Sequence, residues 1–371
     1  MQTRLRLLQE FGQRLQALAP TVRVTRVRTL AALSLGLLWA GRIALTAVAA
    51  TVPGRASDPS TERRFRRRLA NRRVPVTALW RPLIRPLLAT RAGTEVLLVL
   101  DPTPHNATAT VLTRGVVVHK RVLPVAWHVL PNQEPWRRRQ SAYVRRLFRV
   151  VATWLPAGCA VTLIADSGLT SPELIALCRE RGWHFVLRLS ADARQGPLVR
   201  DADGRERPAW DLVPAPGKRW FGPVAVFKGA GWLPVQLSIV WEPGYDAPWL
   251  LLSDRAAGRA RAREYVRRAQ AEATFQDGKG RGWDLEASKV VDRNRLHRLL
   301  LALFVALWWA HALGQQVVRR GLRRRFDRAD RRDLSLVRLG RRWLAALLDA
   351  DRLPPLLVRR LPSGWRVACL R

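Results

Sequence analysis

The sequence predicts an α/β fold: a basic helical N-terminal region, then a core of mixed strands and helices interrupted by a β-rich insertion. Three observations carry this expectation. Apolar residues recur at helical spacing through about residue 90. From Glu95 onward, short apolar runs of β character alternate with helical stretches, and two of those runs lead into an aspartate. Residues 192–255 are rich in Pro, Gly and Trp and hold only short β-type runs.

The elements follow in order. Asp58, Pro59 and Ser60 give a turn and cap signal ahead of a strongly basic helix, Ser60–Arg73. Phe65 and Leu69 stand four apart and anchor one face of it, which leaves Arg63, Arg64 and Arg67 for solvent or phosphate. Val96–Leu100 is an apolar strand ending at Asp101. Ala107–Thr113 and Gly115–Val125 follow as strands around a turn at Arg114-Gly115. Ser141–Leu155 has helical periodicity, and Ala160–Ile164 is a buried-type strand leading through Ala165 to Asp166. Ser171–Arg181 is a helix with Ser171 as cap, Pro172 first and Glu173 in its first turn. His184–Leu189 is the next strand. Three strands, helix, strand, helix, strand is the order expected of a ribonuclease H-like fold. Val224–Phe227 and Val235–Val240 are strands of the insertion. Ala256–Thr274 reads as helical, Asn294–Val318 as a long apolar helix, Arg319–Arg332 as a basic stretch and Leu334–Leu348 as a last helix. The expected division is a helical DNA-binding domain over 1–90, the first part of the core over 91–191, the insertion over 192–255, the rest of the core over 256–318 and a basic C-terminal region over 319–371.

Composition narrows the partners. The formal net charge is +37 and hydrophobic residues make up 48%, so the chain builds a core yet repels itself unless a polyanion compensates. An anionic membrane surface is the rival to nucleic acid; basic clusters in several separated segments favour nucleic acid. Leu30–Val52, interrupted by Arg42, and Leu299–Leu313 resemble membrane spans. Each is short or interrupted, and Arg-rich flanks on both sides give no orientation signal, so buried core helices and no membrane partner are expected. Three cysteines without metal or disulfide spacing fit a reducing cytoplasm. The six histidines show no metal spacing, and no GxSxG, P-loop or HExxH pattern occurs, which leaves serine hydrolase, NTPase and zinc protease chemistry without support.

Asp101 and Asp166 each end an apolar strand, where open α/β sheets place ligand sites. Carboxylates there suit a hard divalent cation, although an aspartate also ends many strands by starting a turn. The third acid sits in Tyr265-x2-Arg268-x3-Glu272-x6-Lys279. On a continuous helix Tyr265, Arg268 and Lys279 would lie within ~40° of Glu272. One face would then carry a carboxylate for metal, and two cations and a phenol for phosphate. An ordinary solvated helix face has similar spacing. The chain has only 3 Tyr, and its 5 Lys stand against 60 Arg. At this composition a chance match has odds of roughly two in ten thousand.

Tyr-x2-Arg-x3-Glu-x6-Lys resembles the signature of a branch of bacterial insertion-sequence DDE transposases, whose members excise DNA through hairpin intermediates. The resemblance extends over roughly residues 30 to 345 and includes Asp166-Ser-Gly-Leu-Thr-Ser-Pro-Glu-Leu as the second-acid segment. Members often carry Arg and an aromatic just after the second aspartate, where this chain has Ser167 and Leu169. The resemblance implies that Asp101, Asp166 and Glu272 are catalytic and hold two Mg²⁺ ions, with Mn²⁺ as substitute. It implies that Tyr265, Arg268 and Lys279 grip phosphate. A tryptophan of the insertion, with Trp220, Trp232 and Trp241 as candidates, would stack on a flipped base; packing of a small β core is the ordinary role for each. The implied partners are double-stranded DNA, as transposon end and as target, and a second copy of the chain in a synaptic dimer. A nuclease of the same fold without strand transfer, or a non-catalytic DNA-binding relative, is the alternative.

Overall fold

The computed structural model describes residues 2–356 apart from 108, 120, 133–135, 191–195, 279–282, 329, 331 and 333. Five helices come first: α1 (Gln2–Leu18), α2 (Val24–Ala40), α3 (Leu45–Thr51), α4 (Asp58–Ala70) and α5 (Val76–Ala89). α4 begins two residues before the predicted basic helix, with Ser57 extended at its N-cap and Pro59 in its first turn. Phe65 and Leu69 are buried, as their four-residue spacing requires.

The sheet begins with β1 (Glu95–Asn106), β2 (Ala109–Val118) and β3 (Arg121–Pro131), an antiparallel meander. β2 runs uninterrupted through the expected turn at Arg114-Gly115, opposite a bulge at Val125 of β3, and the chain reverses after Val118, where His119 has a φ of 47°. α6 (Trp136–Ala152) leads to β4 (Ala160–Ala165), and α7 (Pro172–Glu180) to β5 (His184–Arg188). β4 runs parallel to β1 and β5 parallel to β4. Ser171 caps α7, its hydroxyl accepting from the Leu174 N–H.

The described residues of 192–255 extend this same sheet. β6 (Leu198–Arg200), β7 (Glu206–Pro208), β8 (Arg219–Val226) and β9 (Leu233–Val240) add antiparallel strands, and β10 (Trp249–Ser253) joins them to β5. The ten strands lie in the order β3-β2-β1-β4-β5-β10-β9-β8-β6-β7. The chain then forms α8 (Arg259–Tyr265), a 3₁₀ turn over Val266–Arg268 and α9 (Ala269–Gly278), so the helix expected over Ala256–Thr274 is broken just before Glu272.

α10 (Arg293–Arg319) is the longest helix and α11 (Leu336–Asp349) packs along it. α10 is long and apolar enough to cross a membrane, and 89% of its apolar window is buried within the protein. The α2–α3 pair passes the same test only as one span, and it is bent by 96°. Residues of α1 to α5, α10, α11 and one face of the sheet share a single apolar core. Indole N–H groups tie it together: Trp308 donates to the Pro124 carbonyl at 2.8 Å, and Trp80 to that of Val125 at 2.6 Å. α10 and α11 touch through Gly314 and Gly340. A Cβ on Gly340 would collide with the backbone of Ala310, and one on Gly314 with the backbone of Leu336.

Two predictions follow from this packing. Gly→Ala in an exposed helix interior stabilises by about 1 kcal/mol, whereas Gly340→Ala should destabilise by about 1–3 kcal/mol or more through overpacking; urea denaturation gives the sign. Buried histidines should make the fold acid-labile. His311 is 1% exposed, and burial, then His119 and Arg121, push its pKa down to about 3. Burial likewise brings His119, His128 and His297 to about 4. These pKa values are depressed on folding, so the neutral rings' contribution is complete above pH 6.5 and is lost as pH falls towards 4 and 3. Stability measured against pH should fall across that window, and His311→Gln should make the fall shallower by about 1.4 kcal/mol per pH unit.

Candidate active site

Strand register brings the two aspartates together. Leu100 of β1 pairs with Ala165 of β4 in parallel register, so Asp101 and Asp166 are the next residues on adjacent strands. Side chains alternate along a strand. Val99, Ile164 and Val186 form a small apolar cluster with Leu251, Tyr265 and Ala271, beneath α8 and α9. Asp101, Asp166 and Arg188 lie two residues beyond Val99, Ile164 and Val186, and so project on that same face. Tyr265 and Ala271 anchor the two helices to the sheet and carry Arg268 and Glu272 over the strand ends.

One guanidinium sits among all three acids. Arg268 Nη2 lies 3.1 Å from Asp101 Oδ1 and 3.1 Å from Asp166 Oδ2, and Nη1 lies 2.7 Å from Glu272 Oε1. The 3₁₀ turn makes this possible by setting Arg268 at the junction between the two helices. Burial works against the charge of Arg268, but the facing carboxylates of Asp166 and Asp101 hold its pKa above the ordinary arginine value. Asp101 is 5% exposed, and burial raises its pKa despite the hydrogen bond that Thr103 Oγ1 donates at 2.8 Å and the charge of Arg268. Asp166 Oδ1 accepts from the Ser167 N–H at 2.8 Å and from the Tyr265 hydroxyl at 3.0 Å; Arg188 Nη1 stands 3.8 Å away. Burial, then the charge of Asp166, raises the Tyr265 pKa, so the phenol is a proton donor to the carboxylate. Glu272 is the open member, its side chain 55% exposed.

The donor set is oxygen-only and strongly anionic, which suits Mg²⁺ or Mn²⁺. Among the described residues no group of three or more His, Cys, Asp or Glu is arranged to hold a metal ion. Arg268 occupies the space between the acids and is the cation they already hold.

Of the remaining sequence candidates, Lys279 lies outside the described residues. Arg63, Arg64 and Arg67 are exposed on α4. Trp220 folds over Gly222, Trp232 lies 4.6 Å beneath the Arg200 guanidinium, and Trp241 donates to the Tyr245 carbonyl at 2.8 Å while packing edge-on to Trp210. The tryptophan in ring contact with a site residue is Trp249, T-shaped on Tyr265 at 5.3 Å. Sequence reasoning missed it, along with Thr103 and Arg188. Alternation along Trp249-Leu-Leu-Leu-Ser, once β10 is known to pair with β5, is the signal that finds it.

Residues 141–309 match the transposase DDE domain family. The matched span contains Asp166, Tyr265, Arg268 and Glu272 and begins after Asp101. The match, over less than half of the chain, is a likeness to that family. Curated proteins give no match. A cryo-EM structure of the piggyBac transposase synaptic complex with hairpin DNA aligns over 89% of this chain and 72% of that one, with a TM-score of 0.43 and 12% identity. A likeness of that order carries no argument.

Arg268→Gln should lower stability by about 1–3 kcal/mol at pH 7, because it leaves clustered carboxylates without their counter-charge. Chemical denaturation should show the deficit shrinking as pH falls and the carboxylates take up protons. A deficit independent of pH would mean that Arg268 acts through packing alone.

Proposed function

We propose that the protein is a DNA transposase of ribonuclease H-like topology that cleaves transposon ends and joins them to target DNA. The observation that carries the reading is the convergence of Asp101, Asp166 and Glu272 on one cation from three separate elements. The meander β1–β3 followed by parallel β4 and β5, in the order β3-β2-β1-β4-β5, supports the topology.

Asp101, Asp166 and Glu272 would hold two divalent cations, Mg²⁺ or Mn²⁺, when these are bound. Such ions supply activation of the attacking oxygen and stabilisation of the leaving oxygen in an in-line displacement at phosphorus. The protein's own groups do the positioning. Thr103 orients Asp101 through its hydroxyl, and Tyr265 and the Ser167 N–H orient Asp166. Arg268, with its pKa held high, stays charged and is placed to engage a phosphate at the DNA end; Lys279 is assigned the same task from its motif position.

The reaction begins with a nick at the end of the element. The freed 3′-hydroxyl attacks a phosphodiester of the opposite strand and displaces the 3′-hydroxyl of the flanking DNA, which gives a hairpin; water reopens it before the end joins target DNA. Trp220, Trp232 and Trp241 remain candidates to stack on an unpaired base of that hairpin. Two ends must meet, so the working form is a dimer on DNA, acting in the cytoplasm.

Glu272→Gln should abolish Mg²⁺-dependent cleavage of DNA carrying the gene's own flanks, by a factor of 10³ or more on the scale of such electrostatic contributions, with unchanged DNA affinity. Cleavage assays on gels paired with binding isotherms test this. Equal loss of binding, or nicks that persist in the variant, would overturn the catalytic assignment. Nicking with no joined product would leave a nuclease.

A further inference from the structure

A cavity of about 510 Å³ opens between α2 and α4, away from the three carboxylates. One wall is a single helix face, because Ser60, Arg64, Arg67, Arg68 and Asn71 recur at three- and four-residue intervals. Arg26 faces them from α2. Four arginines thus line the cavity, and no carboxylate is among its described lining residues. Arg68 is 5% exposed. Its Nη1 donates to the Arg26 carbonyl at 2.5 Å, while Nε and Nη2 have no hydrogen-bond partner. Burial, then the charges of Arg298 and Arg26, push its pKa down to about 10. α4 carries two acids, Asp58 in its first turn and Glu62, which is paired with Arg66; neither lines the cavity. Buried positive charge without an internal counterion costs free energy, and an anion in the cavity offsets that cost.

We propose that this cavity seats a phosphate of a nucleic-acid backbone, gripped by Arg26, Arg64 and Arg67 against the buried Arg68. The choice of nucleic acid over free phosphate rests on the transposase reading; the seat itself does not. It divides α4 in a way the sequence does not show: Arg64 and Arg67 line the seat, and Arg63 does not. Contacts to a backbone phosphate here fix position and not sequence.

The test is binding of a short duplex by fluorescence anisotropy in EDTA, between about 50 and 200 mM NaCl. Arg64→Gln/Arg67→Gln alters exposed residues and spares Arg68, so it folds; melting curves verify this. The pair should weaken binding roughly tenfold or more at 0.1 M salt and lower the log–log salt slope by about 1, the loss of one phosphate contact. Arg66→Gln/Arg73→Gln removes the same charge outside the cavity and should cost less than half of that slope change. Equal losses for the two pairs would overturn the seat in favour of a diffuse basic surface. If pyrophosphate raises the melting temperature of the wild type but not of Arg64→Gln/Arg67→Gln, while their duplex slopes agree, the seat takes a free phosphate and the backbone proposal fails. No cleavage is measured in EDTA, so failure of the catalytic reading leaves this result standing, and the reverse also holds.

Discussion

Three carboxylates crowd the open end of the sheet only because a guanidinium stands between them. At such separations like charges in a partly dry site repel strongly. Arg268 turns that repulsion into an attraction that also fastens the α8–α9 segment to β1 and β4. Everything around it serves this placement. The parallel register of β1 and β4 brings Asp101 beside Asp166, and Tyr265 plugs into the apolar cluster beneath them. The 3₁₀ turn halts the helix so that Arg268 reaches inward while Glu272 stays open to solvent.

α10 gives the frame its stiffness. It is buried on nearly every side, by helices of the N-terminal region, by α11 and by β3. Its tryptophans donate across those boundaries, which satisfies polar atoms that the apolar core would otherwise leave orphaned. The same burial explains an apolar stretch of membrane-like length, since a helix surrounded by protein is apolar all round just as one surrounded by lipid is. The basic helix α4 is fixed to this frame by Phe65 and Leu69; Arg63, Arg64, Arg66 and Arg67 face outward, and Arg68 is buried.

The sequence made the acids legible because strand ends and a sparse-residue motif are local signals. Asp101 and Asp166 followed apolar runs whose β character was plain, and Tyr265, Arg268 and Glu272 stood at fixed spacing. What stayed hidden was non-local. Nothing near Arg188 or Trp249 announces that β5 and β10 pair, so their place beside Asp166 and Tyr265 required the sheet. The broken helix before Glu272 was invisible because Val266-Arg-Arg has no Gly or Pro to mark it. Arg114-Gly115 looked like a turn by composition, yet cross-strand pairing on both sides carried β2 straight through it.

The single ten-stranded sheet has a consequence for how the chain tolerates change in length. β10 lies next to β5, at the sheet's middle, although it comes last in sequence among the strands. The segment that leaves β5 therefore travels to the outer edge and returns before it enters α8. Additions at that edge, as in the exposed β6–β7 turn around Gly204, shift nothing upstream or downstream. One residue gained or lost within β10 would instead turn Trp249 and Leu251 to the opposite face. An inserted reporter has room at the rim, whereas the returning strand behaves as a fixed ruler for the helix that carries Glu272.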